Sequence, residues 1–361
     1  MTAAAAHTGP MFRSTSATLT VGGRRLRTTS VYDTYWRFAH ARQEIFHRRV
    51  EGLAPPWTDD PIIAAHRFTN AYRAADRVSQ FLISNVIYAG STDPSETLFR
   101  TLMFKVFNRL ETWQHLTDTL GEIEWKSYRF ETYAKALDAL SASGQSIYSP
   151  AYIMPSPPFG FARKHRNHLR LIELMMKDGL AARIQEAKTL AGVYELLLSY
   201  PSLGPFLAFQ FTIDINYGPI SNFSEMDFVV AGPGARDGIR KCFEDTAGFD
   251  EADIIRIMAE RAGIEFARLG LPFRNLWGRD LQLIDCQNLF CEVDKYARVA
   301  HPEYSGDSGR TRIKQKFAAR ARSVPQWYPP KWNIRPPSGG VGPSRGPIER
   351  RARQYPLLGC E

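Results

Sequence analysis

The stretch that decides the fold runs from Val193 to Arg240 and reads VYELLLSYPSLGPFLAFQFTIDINYGPISNFSEMDFVVAGPGARDGIR. An apolar, helix-like run ends at Tyr200, and a turn containing proline and glycine follows at once. A second apolar helix begins beyond Gly204, because proline and glycine punctuate helices and proline is tolerated in a first turn. An acidic residue, Asp227, follows after a loop. This order predicts a helical hairpin with a carboxylate downstream of it.

Composition indicates a globular protein with a basic surface. The chain has 361 residues, of which 44% are hydrophobic and 12% aromatic, enough to bury one large core or two smaller ones. The formal net charge of +9 favours a polyanionic partner, since clustered Lys and Arg release counterions from a phosphate backbone. Many basic proteins never touch nucleic acid, so the charge alone leaves the partner open.

Several function classes lack their motifs. The four cysteines form no CxxC pair and no histidine stands at zinc spacing, so neither a metal site nor a disulfide framework is expected. There is no GxxxxGK[ST] phosphate loop, GxGxxG fingerprint, HExxH, HxE…PCxxC or GxSxG, and no cofactor is expected. No apolar run reaches membrane-spanning length and no signal peptide is visible. We expect a cytoplasmic protein with no membrane contact and no obligate protein partner.

The period of apolar residues is helical almost throughout, which predicts an all-α fold. Residues 1–29 are predicted to be a loose leader with a short strand near 17–21. Residues 30–305 are predicted to form the helical region, with a division into two subdomains near 150–180 left open. Residues 306–361, rich in Arg, Pro and Gly, are predicted to be a disordered or extended basic tail.

Basic side chains recur where a polyanion would be bound. Arg67, Asn70, Arg73 and Arg77 are spaced by three and four, which predicts one helix face. This face is either a solvated charged surface or a surface that contacts phosphates and bases. Lys164 lies in a basic, proline-rich crossing that is either a loop over a bound polyanion or a solvated connection.

The hairpin resembles the helix-hairpin-helix element of DNA glycosylases, whose pattern is L-P-G-x-G-x-x-x-A. Ser202 stands at the first glycine of that pattern, Gly204 matches the second and Ala208 matches the small residue. The resemblance implies that Ser202, Leu203, Gly204 and Pro205 aim unpaired backbone N–H groups at a DNA phosphate, which a Cβ on Gly204 would crowd. A monovalent cation at the hairpin is a further candidate partner.

Longer phrases resemble the α-glutamyl/putrescinyl thymine pyrophosphorylase family, an all-helical branch of the helix-hairpin-helix glycosylase superfamily. These phrases are HRFTNAYRAADR, SLGPFLAFQFTIDINY, DFVVAGPGARDGIRK and LQLIDCQNLFCEVDKYAR, and the resemblance runs from about Val31 to about Trp332. It implies double-stranded DNA carrying modified bases as the partner. It also implies an anti-phage glycosylase that flips out and excises a hypermodified pyrimidine, such as a glucosylated 5-hydroxymethylcytosine or a modified thymine.

Asp227 lies 23 residues beyond Gly204, the interval of the catalytic aspartate in that superfamily. The alternative role for Asp227 is a helix N-cap. Phe206 stands where lyase-competent members carry a lysine, so the resemblance implies a monofunctional enzyme that leaves an abasic site. Because the family also includes pyrophosphorylases and relatives of the helical part of 5-hydroxymethyluracil DNA kinases, two alternatives stay open. One is a pyrophosphorylase or transferase that leaves the glycosidic bond intact, and the other is a non-enzymatic DNA-binding module.

Further polar residues are candidates for contacts with the base and the DNA backbone. The candidates to hydrogen-bond the modified base or its sugar are Asn70, Gln210, Asp285, Asn288 and Lys295. A buried structural network explains such residues equally well. Arg236 and Lys241 are candidates to hold phosphate, with ordinary surface charge as the alternative. Asp214 competes with Asp227 for the catalytic role, although pairing within the fold is the favoured interpretation.

Overall fold

The structure is a computed structural model that describes residues 17–319 and 326–337. Thirteen α-helices dominate these residues, which confirms the all-α prediction. The helices are α1 (Ser30–Val50), α2 (Pro61–Ala65), α3 (Arg77–Phe81), α4 (Pro94–Phe107), α5 (Leu110–Leu120), α6 (Phe130–Ala142), α7 (Lys164–Lys177), α8 (Leu180–Glu186), α9 (Leu190–Leu198), α10 (Pro205–Asn216), α11 (Pro233–Cys242), α12 (Glu251–Arg268) and α13 (Leu283–Ala300). Within the described ranges, no helix is both long and apolar enough to cross a membrane.

The described part of the predicted leader forms a small antiparallel sheet. Strand β1 (Thr18–Val21) pairs with β2 (Arg24–Thr28), and β3 (Phe243–Asp245) adds to the other edge of β2. Leu26 of β2 is fully buried, so this segment is anchored to the helical core. The strand predicted near 17–21 is therefore present. The prediction of a loose leader is wrong for residues 17–29, because this segment packs against the helices. Residues 1–16 of that leader lie outside the described residues.

Helices α11 and α13 pack closely against each other at Gly238. A Cβ added to Gly238 of α11 would lie 2.2 Å from the carbonyl oxygen of Phe290 in α13. Only glycine permits this approach, because the obstructing atom belongs to the backbone and cannot turn aside. The contact fixes α13, which carries several of the candidate site residues.

The predicted hairpin forms between α9 and α10. Ser202 adopts a φ of 65°, in the left-handed region where the hairpin pattern has glycine. Gly204 is the N-cap of α10 with a φ of −70°, and Pro205 is its first residue. Leu203 points into the core at 2% exposure, while the space around a Cβ on Gly204 is empty to 4 Å. The start of α10 is thus exposed on the surface and has no side-chain cap.

Arg67, Asn70, Arg73 and Arg77 do not share a helix face, so this prediction is wrong. The chain is irregular from Arg67 to a short 3₁₀ turn at Arg73, and α3 begins only at Arg77. Asn70 explains the break, since its side chain and backbone bond locally and compete with helix formation. Its Nδ2 donates to the carbonyl of Ala75 at 2.9 Å, and its backbone N–H donates to Asp76 Oδ1 at 2.8 Å.

Part of the predicted tail is packed against the helices. Tyr328 is 4% exposed, and the Lys331 ammonium donates to the carbonyl oxygens of Asn216, Gly218 and Ser221 at 2.5, 2.9 and 2.7 Å. These bonds tie the end of α10 and the loop after it to the C-terminal segment. The remainder of the predicted tail, residues 320–325 and 338–361, lies outside the described residues.

Candidate functional site

A cavity of about 970 Å³ opens between the segment before α3, helices α4, α10 and α13, and two loops. One loop is Pro150–Tyr152, in the proline-rich crossing, and the other spans residues 310–315, in the predicted tail. The volume lies at the upper end of the range for small-molecule sites and suits a nucleotide-sized ligand. Among the described residues, no three His, Cys, Asp or Glu side chains are grouped so as to hold a metal ion.

The floor of the cavity is an ion triad. Asp214 Oδ1 lies 2.6 Å from Arg73 Nη1, and Asp214 Oδ2 lies 2.5 Å from Lys105 Nζ. Burial alone would raise the pKa of Asp214, but the charges of Arg73 and Lys105 outweigh that effect and hold the pKa below its usual value. Two basic side chains therefore face a single ionised carboxylate.

An aromatic wall and a buried amide rise from this floor. Phe206 and Tyr152 pack with ring centroids 5.9 Å apart, and the Lys105 ammonium lies 4.3 Å from the Tyr152 ring. Gln210 Oε1 accepts hydrogen bonds from Tyr152 Oη and from Arg73 Nε, both at 3.2 Å. Gln210 Nε2 has no hydrogen-bond partner among the described residues, although the side chain is only 1% exposed. Gln210 is not among the residues that line the cavity, so this unpartnered amide lies behind the wall.

The mouth of the cavity is cationic. Five exposed cations line it, and none of them forms an ion pair with a described residue: Arg67, Arg77, Arg310, Arg312 and Lys314. Deeper cations are already paired, since Lys295 Nζ lies 2.9 Å from Glu292 and Arg298 Nη2 lies 2.5 Å from Asp294. Free positive charge is therefore concentrated at the rim.

Two carboxyl groups near the floor retain protons unusually well. Burial raises the pKa of Asp76, which lines the cavity, to about 7, and the negative charge of Glu292 adds to the effect. Burial and the charge of Glu225 raise the pKa of Asp285 to about 7. Asp285 accepts hydrogen bonds from the backbone N–H groups of Arg73 at 2.7 Å and Gln282 at 3.0 Å. Both groups can exchange protons near neutral pH.

The cavity brings together five of the candidate residues, although they come from distant parts of the chain. Arg67, Arg73, Arg77, Asn288 and Lys295 all line it. Arg73 differs from the other four because it is only 4% exposed and forms an ion pair with Asp214. If Arg73 turned towards a DNA phosphate, Asp214 would keep Lys105 as its only cationic partner. Arg73 is therefore a structural residue of the cavity floor.

Three further candidates support the cavity from behind. Gln210 and Asp285 both bond to Arg73, through its side chain and its backbone N–H respectively. Asn70 accepts from Arg42 Nη2 at 3.2 Å and bonds to the backbone of Ala75. The buried network that the sequence left open is therefore present at these positions.

The remaining candidate cations lie apart from the cavity. The Lys241 ammonium is 1% exposed and 2.8 Å from Asp294 Oδ1, an environment that a DNA phosphate does not reach. Lys164 is half-buried with its ammonium 4.5 Å from the Tyr148 ring. Arg236 is exposed, with its Nε 3.9 Å from Glu251.

Asp227 lies in an exposed loop and is not among the residues that line the cavity. Its carbonyl oxygen accepts from Arg256 Nη2 at 3.1 Å. Helix α11 begins at Pro233 with Gly232 as its N-cap, so Asp227 does not cap it. A DNA phosphate contact at the hairpin around Gly204 and a monovalent cation there remain predictions.

Sequence patterns missed three groups of the site. Lys105 is a lone cation in the apolar run LMFKVF, a signal that could have marked a buried pair. Tyr152 carried no signal, since nothing in a proline-rich stretch indicates which side chain turns inward. The cations Arg310, Arg312 and Lys314 were assigned to the tail in general and not to a site.

The structure is that of an all-α protein with a cavity that has a cationic mouth and an aromatic wall. The chain belongs to the family described as 5-hmdU DNA kinase, helical domain, which matches residues 29–306. It is 29% identical over 321 residues to a protein of Bacillus phage SP10 named 5-hmdU DNA kinase, and the match covers 82% of this chain and 49% of that relative. The chain thus spans about half the length of this curated relative. No solved structure matches the chain.

These comparisons correct the predicted reaction. The prediction of a monofunctional glycosylase that excises a base as anti-phage defence and leaves an abasic site is wrong, because the family and the relative are both named for a DNA kinase. A kinase transfers a phosphoryl group and does not hydrolyse an N-glycosidic bond. The inference from Phe206 that the enzyme lacks lyase activity applied only to a glycosylase, so it no longer has a basis. Phe206 is part of the aromatic wall.

Proposed function

We propose that this chain binds DNA and holds an extruded 5-hydroxymethyl-pyrimidine nucleotide in the cavity, so that a group can be transferred to the hydroxymethyl oxygen with the glycosidic bond left intact. The observation that carries the proposal is the division of the cavity into a rim of unpaired cations and an aromatic, hydrogen-bonding interior. A nucleotide has the same division, with phosphates at one end and a flat polar base at the other.

The rim suits the DNA backbone. Phosphate contacts from Arg and Lys supply most of the affinity of DNA-binding proteins without reading sequence. Arg67 and Arg77 come from the chain around the start of α3, and Arg310, Arg312 and Lys314 come from a segment far along the chain. The two segments meet, since the backbone N–H of Arg67 donates to the carbonyl oxygen of Gln315 at 3.1 Å, so their cations can hold the strand together. The exposed start of α10 at Gly204 is a further proposed phosphate contact, as its resemblance to a helix-hairpin-helix element implies.

The interior suits a pyrimidine. Tyr152 and Phe206 offer aromatic faces on which a base can stack. Asn288, which lines the cavity, offers an amide that can hydrogen-bond the edge of a pyrimidine. The two basic side chains of the triad formed by Arg73, Lys105 and Asp214 suit the oxygen-rich edge of the base.

The transfer step needs a proton acceptor. If the group is phosphoryl, the hydroxymethyl oxygen bonds to phosphorus, the phosphoanhydride bond of a nucleoside triphosphate breaks, and the hydroxyl proton passes to a base. Asp76, with its pKa raised by burial to about 7, lines the cavity and is the candidate acceptor. The GxxxxGK[ST] loop that binds a nucleoside triphosphate in many kinases does not occur in this sequence. We therefore assign to this chain only the site for the acceptor nucleotide.

Binding measurements test the proposal directly. We expect the protein to bind a duplex containing one 5-hydroxymethyl-deoxyuridine more tightly than the same duplex with thymidine, by fluorescence anisotropy. Arg77→Gln is expected to weaken binding to both duplexes and to lower the salt dependence by about one released counterion. The matched control is Arg25→Gln, on exposed strand β2 away from the cavity. Equal affinity for the two duplexes would refute selection of the modified base, and mass spectrometry that detects released base would refute an intact glycosidic bond.

A further inference from the structure

Ile153 is an unusually exposed apolar side chain. It is 87% exposed, whereas the next most exposed large hydrophobic residue in the described ranges, Ile264, is 59% exposed. Single apolar residues are common on protein surfaces and most need no explanation. Ile153 differs because it directly follows Tyr152, which lines the cavity, so the exposed side chain stands at the lip of the proposed nucleotide site.

The backbone on both sides of Ile153 is fixed. Tyr152 is held from the cavity side by its hydroxyl, which donates to Gln210 at 3.2 Å. Met154 is buried at 3% exposure, and the carbonyl oxygen of Pro155 accepts a 2.9 Å hydrogen bond from His168 Nε2. The segment is therefore attached to the fold on both sides of Ile153. Tyr152 lines the cavity, and Ile153 beside it is exposed to solvent.

We propose that Ile153 is a wedge that enters the base stack of duplex DNA at the step vacated by the nucleotide held in the cavity. This inference rests on the proposed function. Extruding a nucleotide leaves a gap between its neighbours, and an apolar side chain inserted there keeps the gap closed to water and stops the nucleotide from returning. A branched aliphatic side chain fills such a gap without forming hydrogen bonds to either neighbouring base. The rim cations would hold the DNA backbone beside the step.

The test compares duplex DNA, which has a base stack that a wedge can enter, with single-stranded DNA, which does not. The substrates are a 5-hydroxymethyl-deoxyuridine duplex with 2-aminopurine beside the modified base, and the corresponding single strand. Ile153→Ser is expected to weaken duplex binding about tenfold and to abolish the rise in 2-aminopurine fluorescence, while binding to the single strand stays unchanged. Ile153→Leu, which retains an apolar wedge, is expected to behave like the wild type. Ile264→Ser, on α12 and equally apolar, is the matched control.

Failure of the wedge and failure of the proposed function give different results. If the wild-type protein produces no rise in 2-aminopurine fluorescence and does not prefer the modified duplex, the proposed function itself fails, and the wedge fails with it. If the wild type gives both signals and Ile153→Ser gives them equally, only the wedge is refuted. Equal losses on duplex and single strand would likewise refute it, because they would show that Ile153 acts on binding in general.

Discussion

The Asp214 carboxylate lies 2.5 Å from the Lys105 ammonium, and the two side chains are only 2% and 3% exposed. Its other oxygen holds Arg73 at 2.6 Å, so one acid neutralises one of two buried cations. Such an arrangement is costly to desolvate, and its benefit lies in fixing geometry more than in adding stability. Here it joins α4, α10 and the segment before α3 at the floor of the cavity.

The triad predicts a large effect of Asp214→Asn on stability. Removing the carboxylate charge leaves Arg73 and Lys105 buried together with no compensating acid, which destabilises the fold by about 3–5 kcal/mol. Urea denaturation measures the loss. The matched control is Glu131→Gln, whose ion pair with Arg166 at 3.4 Å is largely exposed and is expected to contribute little. A loss below about 1 kcal/mol for Asp214→Asn would mean that the triad is not desolvated as the structure has it.

The loop that carries Tyr152 and Ile153 is predicted to depend on pH through His168. This residue is fully buried, and its Nε2–H donates to the carbonyl oxygen of Pro155 at 2.9 Å. The Tyr148 hydroxyl donates to its Nδ1 at 2.6 Å, so protonating His168 at Nδ1 would require that bond to reverse its direction. Burial lowers the pKa of His168 from 6.5 to about 4, and the charge of Lys164 adds to the effect.

The sign of this dependence follows from the lowered pKa. Below pH 6.5 the unfolded chain binds a proton at His168 that the folded chain refuses, so stability is full above pH 6.5 and falls as the pH drops towards 4. The loss amounts to about 3 kcal/mol over that range. The raised pKa values of Asp76 and Asp285 act in the opposite direction, because these groups stabilise the fold as the pH falls. The measurement that isolates His168 is therefore the difference in unfolding free energy between the wild type and His168→Gln. We expect this difference to shrink as the pH falls from 7 to 4, and a constant difference would contradict the assignment.

How much of this structure the sequence revealed depends on the range of the interactions. The hairpin at Ser202–Pro205 was predictable because helix ends and turns are specified by neighbouring residues. The helix predicted around Asn70 does not form. The Asn70 side chain and the Asp76 carboxylate hydrogen-bond to the backbone there and compete with helix formation, which the spacing of residues did not reveal.

The site was harder to predict than the helices. Asn288 and Lys295 were among the polar residues named as candidates to contact the base, and both line the cavity from α13. The helix to which Asp214 belongs was also predictable, and so was pairing within the fold as its role. Its partners Arg73 and Lys105 come from segments 141 and 109 positions away, and only the tertiary fold shows that the three meet. The reaction was predicted wrongly because a resemblance of sequence phrases to a family does not fix the chemistry that the chain performs.

Gly204 gives a prediction in which affinity and stability separate. The residue has a φ of −70°, and a Cβ there would meet no atom within 4 Å, so Gly204→Ala should leave the unfolding free energy within about 0.5 kcal/mol of the wild type. A DNA phosphate that approaches the first N–H groups of α10 would meet the added methyl group, and we expect duplex affinity to fall about tenfold or more. Gly263→Ala is the matched control, because its Cβ also enters empty space, in exposed α12, where alanine should stabilise the helix slightly. Anisotropy titrations of both variants with the same duplex measure the contrast. Unchanged affinity in Gly204→Ala would show that the hairpin does not approach DNA, and the rim cations would then remain as the proposed phosphate contacts.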